Sequence, residues 1–275
     1  MHLKDLLRKV LQMASALVSL LRYTVCSEHP RRAAIAASYV CLFLRMALFR
    51  RPPQSILLLG TRIHFTNARA FRYVFRELFI EEVYGGCEQT PATIVDCGSN
   101  IGMSILAFKN SWPQSTILGI EASPETYAVL VENVKDLAGV TVVNKVISDR
   151  HGTVPFYTGP NPLLGSTNMR RAGGKESLVE AAPLSDFITG PVDLLKVDIE
   201  GSELVAFAEL EASGKMPLIR QMFIEYHHHL PGETCRLSIF LDRLERCGFD
   251  YDLGAPMPER PGDCQNVMIR ATRME

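Results

Sequence analysis

Acidic side chains recur in this sequence where a β-type stretch gives way to a turn. Asp96 opens the turn Asp-Cys-Gly-Ser-Asn-Ile-Gly, and Glu121 ends the next β-type stretch. Farther along, Asp198 and Glu200 follow an apolar run, and Glu225 begins the segment Glu-Tyr-His-His-His. A single acid in such a place is well explained as a helix cap. Repetition at successive strand ends instead indicates a shared site that binds a ligand or performs acid–base chemistry.

The turn after Asp96 contains Gly98, Asn100 and Gly102, which is not the GxGxxG pattern of dinucleotide-binding folds. Glycines allow a tight turn and a close approach of a ligand to the backbone. A diphosphate fits poorly beside the Asp96 carboxylate, whereas an amine and a positively charged sulfur fit well. Glu121 suits the two hydroxyls of a ribose. A cationic ligand that carries a ribose indicates S-adenosylmethionine, and the missing third glycine argues against a dehydrogenase.

Strand-like and helical stretches that could position these residues alternate from about residue 91 onward. This alternation predicts an α/β fold with a mostly parallel sheet that is covered on both faces. The last two β-type stretches have no helix between them, so we expect a closing hairpin that adds an antiparallel edge strand. Ligands in open α/β sheets bind at the carboxyl ends of the strands. The predicted strands are TIVDC, STILGIEA, VTVVNKVIS, VDLLKVDI, IRQMFIEYH, DYDLG and QNVMIRATR.

Five segments, in this order and spacing, resemble the FkbM family of S-adenosylmethionine-dependent methyltransferases: TIVDCGSNIGMS, GIEASPETYAVLVENV, VVNKVISDRHG, DLLKVDIEGSE and FIEYH. The resemblance covers roughly residues 70–270. It implies a Rossmann-like class I methyltransferase sheet and S-adenosyl-L-methionine as the cofactor. The cofactor contacts that the resemblance implies are Asp96, Gly98, Asn100 and Gly102 for the methionine moiety, Glu121 with Ala122 and Ser123 for the ribose, Val146, Ile147 and Ser148 for the adenine, and Asp198 beside the reactive methyl group.

Methyl transfer to a hydroxyl requires aligned attack and usually a base that takes the proton. Side chains alternate along a strand, so Glu225 and His227 are expected to point the same way. A histidine titrates near neutral pH and suits the role of base. We therefore expect Asp198, Glu225 and His227 to be catalytic; the alternative is that the histidines are exposed loop residues. Consecutive histidines diverge in a strand, so a metal requirement is not expected, although these ligand types permit a divalent cation.

The sequence therefore predicts an O-methyltransferase that depends on S-adenosylmethionine. The resemblance implies a hydroxyl acceptor on a sugar, a glycolipid or a polyketide-like metabolite, and hence a small-molecule or glycan partner rather than a nucleic acid. One alternative is N-methylation of a small amine. Another is a methyltransferase-like binding module without turnover, against which the intact Asp96, Glu121 and Asp198 argue.

The N-terminal segment differs in charge from the rest of the chain. Residues 1–51 hold nine Lys and Arg against two acidic residues, which gives +7, while the remainder carries −8. Residues 3–21 have the spacing of an amphipathic helix, and a second apolar run over 33–49 is too short and too charged for a membrane span. This helical arm suits either an anionic membrane surface or packing on the body or on a second subunit of a homodimer.

Residues 52–90 are predicted to form a hairpin and a helix that lead into a methyltransferase domain over residues 91–275. The chain has seven cysteines, an odd number, and none shows CxxC spacing. A disulfide framework or a structural zinc site is therefore not expected. This cysteine usage favours the cytoplasm, at the inner face of the membrane if the arm binds lipid.

Overall fold

The computed structural model describes residues 31–48, 53–87, 89–159, 165–172, 174–232, 236–255 and 263–274. The chain divides into two compact units, Met1–Gly85 and Gly86–Glu275. The amphipathic helix predicted over residues 3–21 lies outside the described residues, and its membrane role stays a prediction. In the part of the chain described here, no helix combines the length and the apolar character needed to cross a membrane.

The first unit contains helix α1 (Arg32–Leu48), the antiparallel hairpin of β1 (Ser55–Leu58) and β2 (Thr61–His64), and helix α2 (Ala68–Phe79). Asn67 caps α2, since its side chain accepts hydrogen bonds from the amides of Arg69 and Ala70. The rings of Tyr39 in α1 and Phe75 in α2 pack with centroids 5.4 Å apart. The second helix of the predicted arm therefore buries part of its apolar face against α2.

The second unit contains most of the predicted alternation. Its elements are, in chain order, β3 (Thr93–Cys97), α3 (Met103–Ser111), β4 (Thr116–Glu121), α4 (Pro124–Val134), β5 (Val140–Asn144), β6 (Val146–Ser148), β7 (Gly152–Thr158), α5 (Met169–Ala172), β8 (Lys175–Pro183), β9 (Val192–Val197), α6 (Glu203–Ala212), β10 (Ile219–His228), α7 (Leu237–Arg246), β11 (Phe249–Gly254) and β12 (Gln265–Arg273). Short 3₁₀ turns precede β9 and β10.

The main sheet has seven strands in the order β11-β12-β10-β9-β3-β4-β5. From β3 the chain builds β4 and β5 on one side, and then returns to place β9 on the other side of β3. The strand order therefore reverses between β3 and β9, and this is where an open α/β sheet forms its ligand crevice. Apolar strand residues such as Leu195 and Ile224 form one core with Phe207 of α6 and Phe240 of α7. The predicted mostly parallel α/β fold is confirmed.

The antiparallel strand of the main sheet is β12, and its position refines the prediction of an antiparallel edge strand. It pairs with β10 on one side and with β11 on the other, so β11 is the outermost strand. Strand β10 is long, and β12 is long enough to pair with its backbone from Gln221 to His228. The shorter β11 then forms the edge and carries the charged residues Asp250 and Asp252, which discourage pairing with another chain.

The stretch VTVVNKVIS, predicted as one strand, is divided between two sheets. Its first half is β5 of the main sheet, and its second half is β6 of a three-stranded sheet in the order β6-β8-β7. The Asn144 side chain donates to the backbone carbonyls of Glu121 (2.7 Å) and Ala122 (2.9 Å). These bonds satisfy the carboxyl end of β4, so the chain turns away from the main sheet at Lys145.

Candidate active site

The turn after β3 is shaped by its glycines. Gly98 has a φ of +81°, and a Cβ atom built there would lie 1.7 Å from the backbone oxygen of Asp198. Gly102 has a φ of +90°, and its Cβ would lie 2.9 Å from a methyl carbon of Leu130. An L side chain at Gly98 would force β3 and β9 apart at their carboxyl ends. Glycine is thus required for the turn to lie directly beside Asp198, at the strand-order reversal.

Asp96 lies beneath this turn and is fully buried. Its Oδ2 accepts a hydrogen bond from Ser104 Oγ at 2.6 Å, and its Oδ1 lies 3.2 Å from Lys196 Nζ. Lys196 is its partner across the parallel β3–β9 pair, and its side chain is only 3% exposed. The same ammonium donates to the carbonyl of Gly98 at 2.6 Å. Asp96 therefore holds the turn through Lys196, and its direct contact with a methionine moiety stays a prediction.

Glu121 occupies the end of β4 and is 7% exposed. One carboxylate oxygen accepts from the amide of Asn100 and the other from the amide of Ser123, each at 2.8 Å. Burial raises the pKa of Glu121 to about 7, although both of these hydrogen bonds oppose the shift. Each oxygen has a second lone pair that can accept a ribose hydroxyl. The geometry suits the predicted ribose contact, and Ser123 also caps α4 through a bond to Thr126.

The residues predicted to line the adenine lie in β6, within the three-stranded sheet. Val146 packs in a small apolar cluster with Phe156 and Val179. Ile147 is 4% exposed and belongs to the main core of the unit. Ser148 is half-buried, and its hydroxyl lies 3.2 Å from a carboxylate oxygen of Asp149. Among the three, Ser148 offers the most surface to a ligand, and the adenine contacts stay predictions.

A cluster of acids around one imidazole lies at the carboxyl ends of β9 and β10. His227 has a fully buried side chain, and its Nδ1 lies 2.7 Å from Oε1 of Glu203. Its Nε2 lies 3.4 Å from a carboxylate oxygen of Glu200, 3.8 Å from Glu225 and 3.9 Å from Asp198. The fold therefore brings together the three residues that the sequence predicts to be catalytic.

The turn after β9 explains how these acids converge. The strand ends at Val197, so Asp198 and Glu200 meet through a turn rather than through strand alternation. Glu200 has a φ of +53°, and Gly201 has a φ of +111° with Leu230 against it. The amide of Gly201 donates to Glu203 Oε1 at 3.0 Å. This turn directs Glu200 back toward β10, where the buried imidazole lies.

Residues 96–251 match the methyltransferase FkbM domain, which is more than half of the chain. The chain belongs to the FkbM methyltransferase family. The match includes all the site residues described above, from Asp96 at the end of β3 to His227 in β10. The predicted family, the Rossmann-like fold class and the enzyme class are confirmed: this FkbM methyltransferase depends on S-adenosylmethionine.

Two similar proteins come from fungi. Over 193 residues this FkbM methyltransferase is 29% identical to Methyltransferase sdnD of Sordaria araneosa, an alignment that covers 56% of this chain and 74% of that protein. Over 159 residues it is 30% identical to Methyltransferase 1 of Beauveria bassiana, with coverage of 48% and 64%. A solved structure of a methyltransferase FkbM from Methylobacillus flagellatus aligns with a TM-score of 0.46 at 15% identity, covering 98% of this chain and 60% of that one.

The charge state of His227 in this FkbM methyltransferase bears on the predicted base. Burial alone would lower its pKa, but the carboxylates of Glu203, Glu200 and Asp198 outweigh burial and raise the pKa to about 10. The carboxylates therefore favour the protonated imidazole at neutral pH, which disfavours His227 as the base that takes the proton of a hydroxyl. The partly exposed carboxylates of Asp198 and Glu225 are better placed for that role.

Sequence reasoning missed three residues of this FkbM methyltransferase site: Ser104, Lys196 and Glu203. A signal existed for Lys196, because a lysine within the apolar run VDLLKV of a buried parallel strand requires a partner. Glu203 is the first residue of α6, a place where an acid is ordinarily explained by the helix dipole. Glu203 also pairs with the His227 ring. This contact could not be predicted locally, because His227 lies in β10, which follows α6 in the chain.

Proposed function

We propose that this methyltransferase transfers the methyl group of S-adenosylmethionine to a hydroxyl oxygen of a sugar, a glycolipid or a polyketide-like small molecule. One observation supports this proposal above all. A buried carboxylate bound by backbone amides and partly exposed carboxylates lie near one another, on the two sides of the point where the strand order reverses. Glu121 has both oxygens directed by backbone amides, whereas Asp198 and Glu225 retain exposed surface. Asp198 is close enough to Glu121 to raise its pKa.

The two kinds of carboxylate would have different roles: Glu121 would bind the cofactor, and the partly exposed carboxylates would act on the acceptor. A ribose bound at Glu121 would direct the rest of the cofactor over the turn at Gly98, toward Asp198. A hydroxyl acceptor must lose its proton as the new bond forms, and a carboxylate at the site can accept that proton. Neighbouring hydroxyls of a polyol acceptor would donate to the remaining carboxylates, since ionised carboxylates only accept hydrogen bonds. The buried His227 would hold these carboxylates in place.

N-methylation of a small amine is the second candidate, and the charge of the cluster supports it. Four carboxylates surround one imidazole, so the site would also attract a protonated amine. An amine must lose its proton before it attacks the methyl group, which the same carboxylates could assist. The two candidates therefore differ in the atom that is methylated rather than in the residues used.

The test is methyl transfer from isotope-labelled S-adenosylmethionine to a panel of sugars, glycosides, hydroxylated polyketides and amines, together with fractionated cell extract. Products are identified by mass spectrometry and the methylated atom by NMR. We expect label on oxygen, with little transfer by Asp198→Asn and full transfer by the surface control Asp252→Asn. Label found only on nitrogen would replace the O-methylation proposal with the second candidate.

A further inference from the structure

The imidazole of His227 has one nitrogen satisfied and one that is not. Nδ1 is held by the Glu203 carboxylate at 2.7 Å, which fixes the orientation of the ring. Nε2 is fully buried, and no group in the described part of the chain meets it with hydrogen-bond geometry. Leaving a buried polar nitrogen in this state costs free energy. The nitrogen faces the oxygens of Glu200, Glu225 and Asp198, none of which comes closer than 3.4 Å.

The spacing of these atoms matches the coordination shell of a metal ion. One ligand atom from each of Asp198, Glu200 and His227 lies within 4.8 Å of the others. Hard divalent cations bind ligands at about 2.1 to 2.5 Å, so two ligands on opposite sides are about 4 to 5 Å apart. A cation between the three atoms would therefore reach all of them after small side-chain rotations. Oε1 of Glu225 lies 3.8 Å from the same nitrogen; it accepts a hydrogen bond from Asn266 Nδ2 and has a second lone pair for a fourth ligand bond.

The surroundings of the ring follow the pattern of metal-binding histidines. Such a histidine almost always donates its second N–H to a carboxylate or carbonyl, which orients the ring toward the metal. Glu203 supplies this carboxylate, and it is itself held by the amide of Gly201 at 3.0 Å. Ser166 Oγ donates to the backbone oxygen of Glu200 at 2.7 Å and supports the left-handed turn there. The ligands are thus positioned by a second layer of contacts.

The negative charge of the described side chains in this cluster also suits a cation. Four carboxylates lie around one imidazole. The nearby Lys196 lies 3.8 Å from Asp198, but it is shared with Asp96 and with the carbonyl of Gly98. Partly buried carboxylates at this density repel one another unless positive charge is placed between them. A divalent ion would supply two charges at the centre of the cluster, and Nε2 of His227 would release the proton it carries when it binds the ion.

We propose that Asp198, Glu200 and His227, with Glu225 beside them, bind a divalent cation of the Mn²⁺ or Mg²⁺ class. Carboxylates suit both ions, and the imidazole favours Mn²⁺ over Mg²⁺. The role of the ion rests on the proposed O-methylation: it would contact the acceptor oxygen and make its hydroxyl more acidic, with the proton passing to a neighbouring carboxylate or to water. The divergence of consecutive histidines disfavours a site built from several of them, and it does not bear on a site that uses His227 alone.

The experiment uses the full chain, treated with chelator and free of cofactor and acceptor. Mn²⁺ is titrated in, and the free ion is followed by its six-line EPR signal. We expect binding of a single Mn²⁺ per chain that Mg²⁺ displaces. Glu200→Gln should weaken binding about tenfold or more, and Glu203→Gln should weaken it by about 10- to 100-fold through the loss of ring orientation. The control Asp252→Asn changes an exposed acid in β11 and should leave binding unchanged.

Two results would overturn the proposal. One is the absence of Mn²⁺ binding by the folded wild-type chain at millimolar Mn²⁺. In that case the positive charge near these carboxylates would come from the cofactor's sulfonium or from the acceptor. The other is binding that Glu200→Gln and His227→Gln leave intact, which would place the ion elsewhere. Circular dichroism establishes that each variant is folded, and Glu200 is partly exposed, so its variant tests the site even if the His227 variant unfolds. Because neither cofactor nor acceptor is present, failure of methyl transfer does not affect the outcome.

Discussion

The carboxyl ends of β3 and β4 and those of β9 and β10 form two halves of one crevice, and they satisfy their acids in different ways. In the first half, Asp96 is paired with Lys196 and Ser104, and Glu121 is held by two backbone amides. In the second half, several carboxylates lie around the single imidazole of His227. The acids of the first half have partners within the described part of the chain, whereas in the second half the described residues place four carboxylates around one imidazole. A half of the first kind needs no ligand to satisfy its acids, and in a half of the second kind we expect the ligand to contribute to the arrangement of the acids.

Removal of Lys196 should produce the largest effect on stability. Lys196→Met leaves the fully buried Asp96 carboxylate without its cation, and breaking a buried pair in this way costs about 3 to 5 kcal/mol. We expect a large fall in the free energy of unfolding, measured by urea denaturation. The double variant Lys196→Met with Asp96→Asn should recover part of the loss. A loss below about 1 kcal/mol in the single variant would show that the first half does not depend on this pair.

Asp198 belongs to the second half, so its replacement should affect turnover more than binding. Asp198→Asn retains the size of the side chain but removes its charge beside the predicted position of the methyl group. We expect kcat to fall by about 100-fold, while the affinity for S-adenosylhomocysteine changes only a few-fold. Steady-state kinetics and calorimetry measure the two quantities on the same preparation. An equal loss in both would mean that Asp198 acts mainly with the first half, as a cofactor ligand.

The pH dependence of cofactor binding should report on the first half. Burial raises the pKa of Glu121 from 4.5 to about 7, with Asp198 adding to the shift and Lys196 opposing it. Ribose hydroxyls donate to the ionised carboxylate, so binding favours loss of the proton. The affinity for S-adenosylhomocysteine should therefore rise by about tenfold from pH 6 to pH 8 and then level off. Glu121→Gln should bind more weakly at every pH and without this slope. An affinity of the wild type that is flat over this range would contradict the ribose contact.

Replacement of Glu200 should have the smallest effect on stability. Lys196→Met should lower the free energy of unfolding, whereas Glu200→Gln should raise it slightly. In protein treated with chelator, Glu200→Gln removes one of the crowded carboxylates, while Glu203 still pairs with the His227 ring. The free energy of unfolding should change by less than about 1 kcal/mol, in the stabilising direction. The same urea denaturation measures it beside Lys196→Met. A strong destabilisation would show that the acids of the second half, too, are satisfied by the chain itself.

The sequence was sufficient for the residues whose position depends on topology alone. Asp96, Glu121, Asp198 and His227 end parallel strands, and parallel strands bring their carboxyl ends to one edge. Lys196 could not be placed with its partner, because the Asp96–Lys196 contact joins strands that are 100 positions apart in the chain. The sequence places Glu200 just after an apolar run, but it does not show the left-handed turn that brings this side chain to the imidazole.

Other differences between the predicted and the observed structure arise where contacts distant in the sequence decide the outcome. The run of β-branched residues through Lys145 gives no sign of a break, and the break depends on the Asn144 amide reaching the end of β4. The position of β12 between β10 and β11 depends on which strands pair, and hydrophobic alternation does not specify the pairing. The pKa of His227 depends on three acids from two other segments, so its ordinary value was a poor guide to its role.

The absence of a side chain at Gly98 has a kinetic consequence. The backbone there lies against the carbonyl of Asp198, and the amide of Asp198 donates to Cys97 at 3.0 Å, so neither strand end can shift alone. A cofactor seated on the Gly98 turn would lie directly against Asp198, so its methyl group would form part of the surface that the acceptor contacts. The reaction should therefore follow ordered addition, with S-adenosylmethionine first and S-adenosylhomocysteine leaving last. Product inhibition by S-adenosylhomocysteine would then be competitive toward the methyl donor and noncompetitive toward the acceptor.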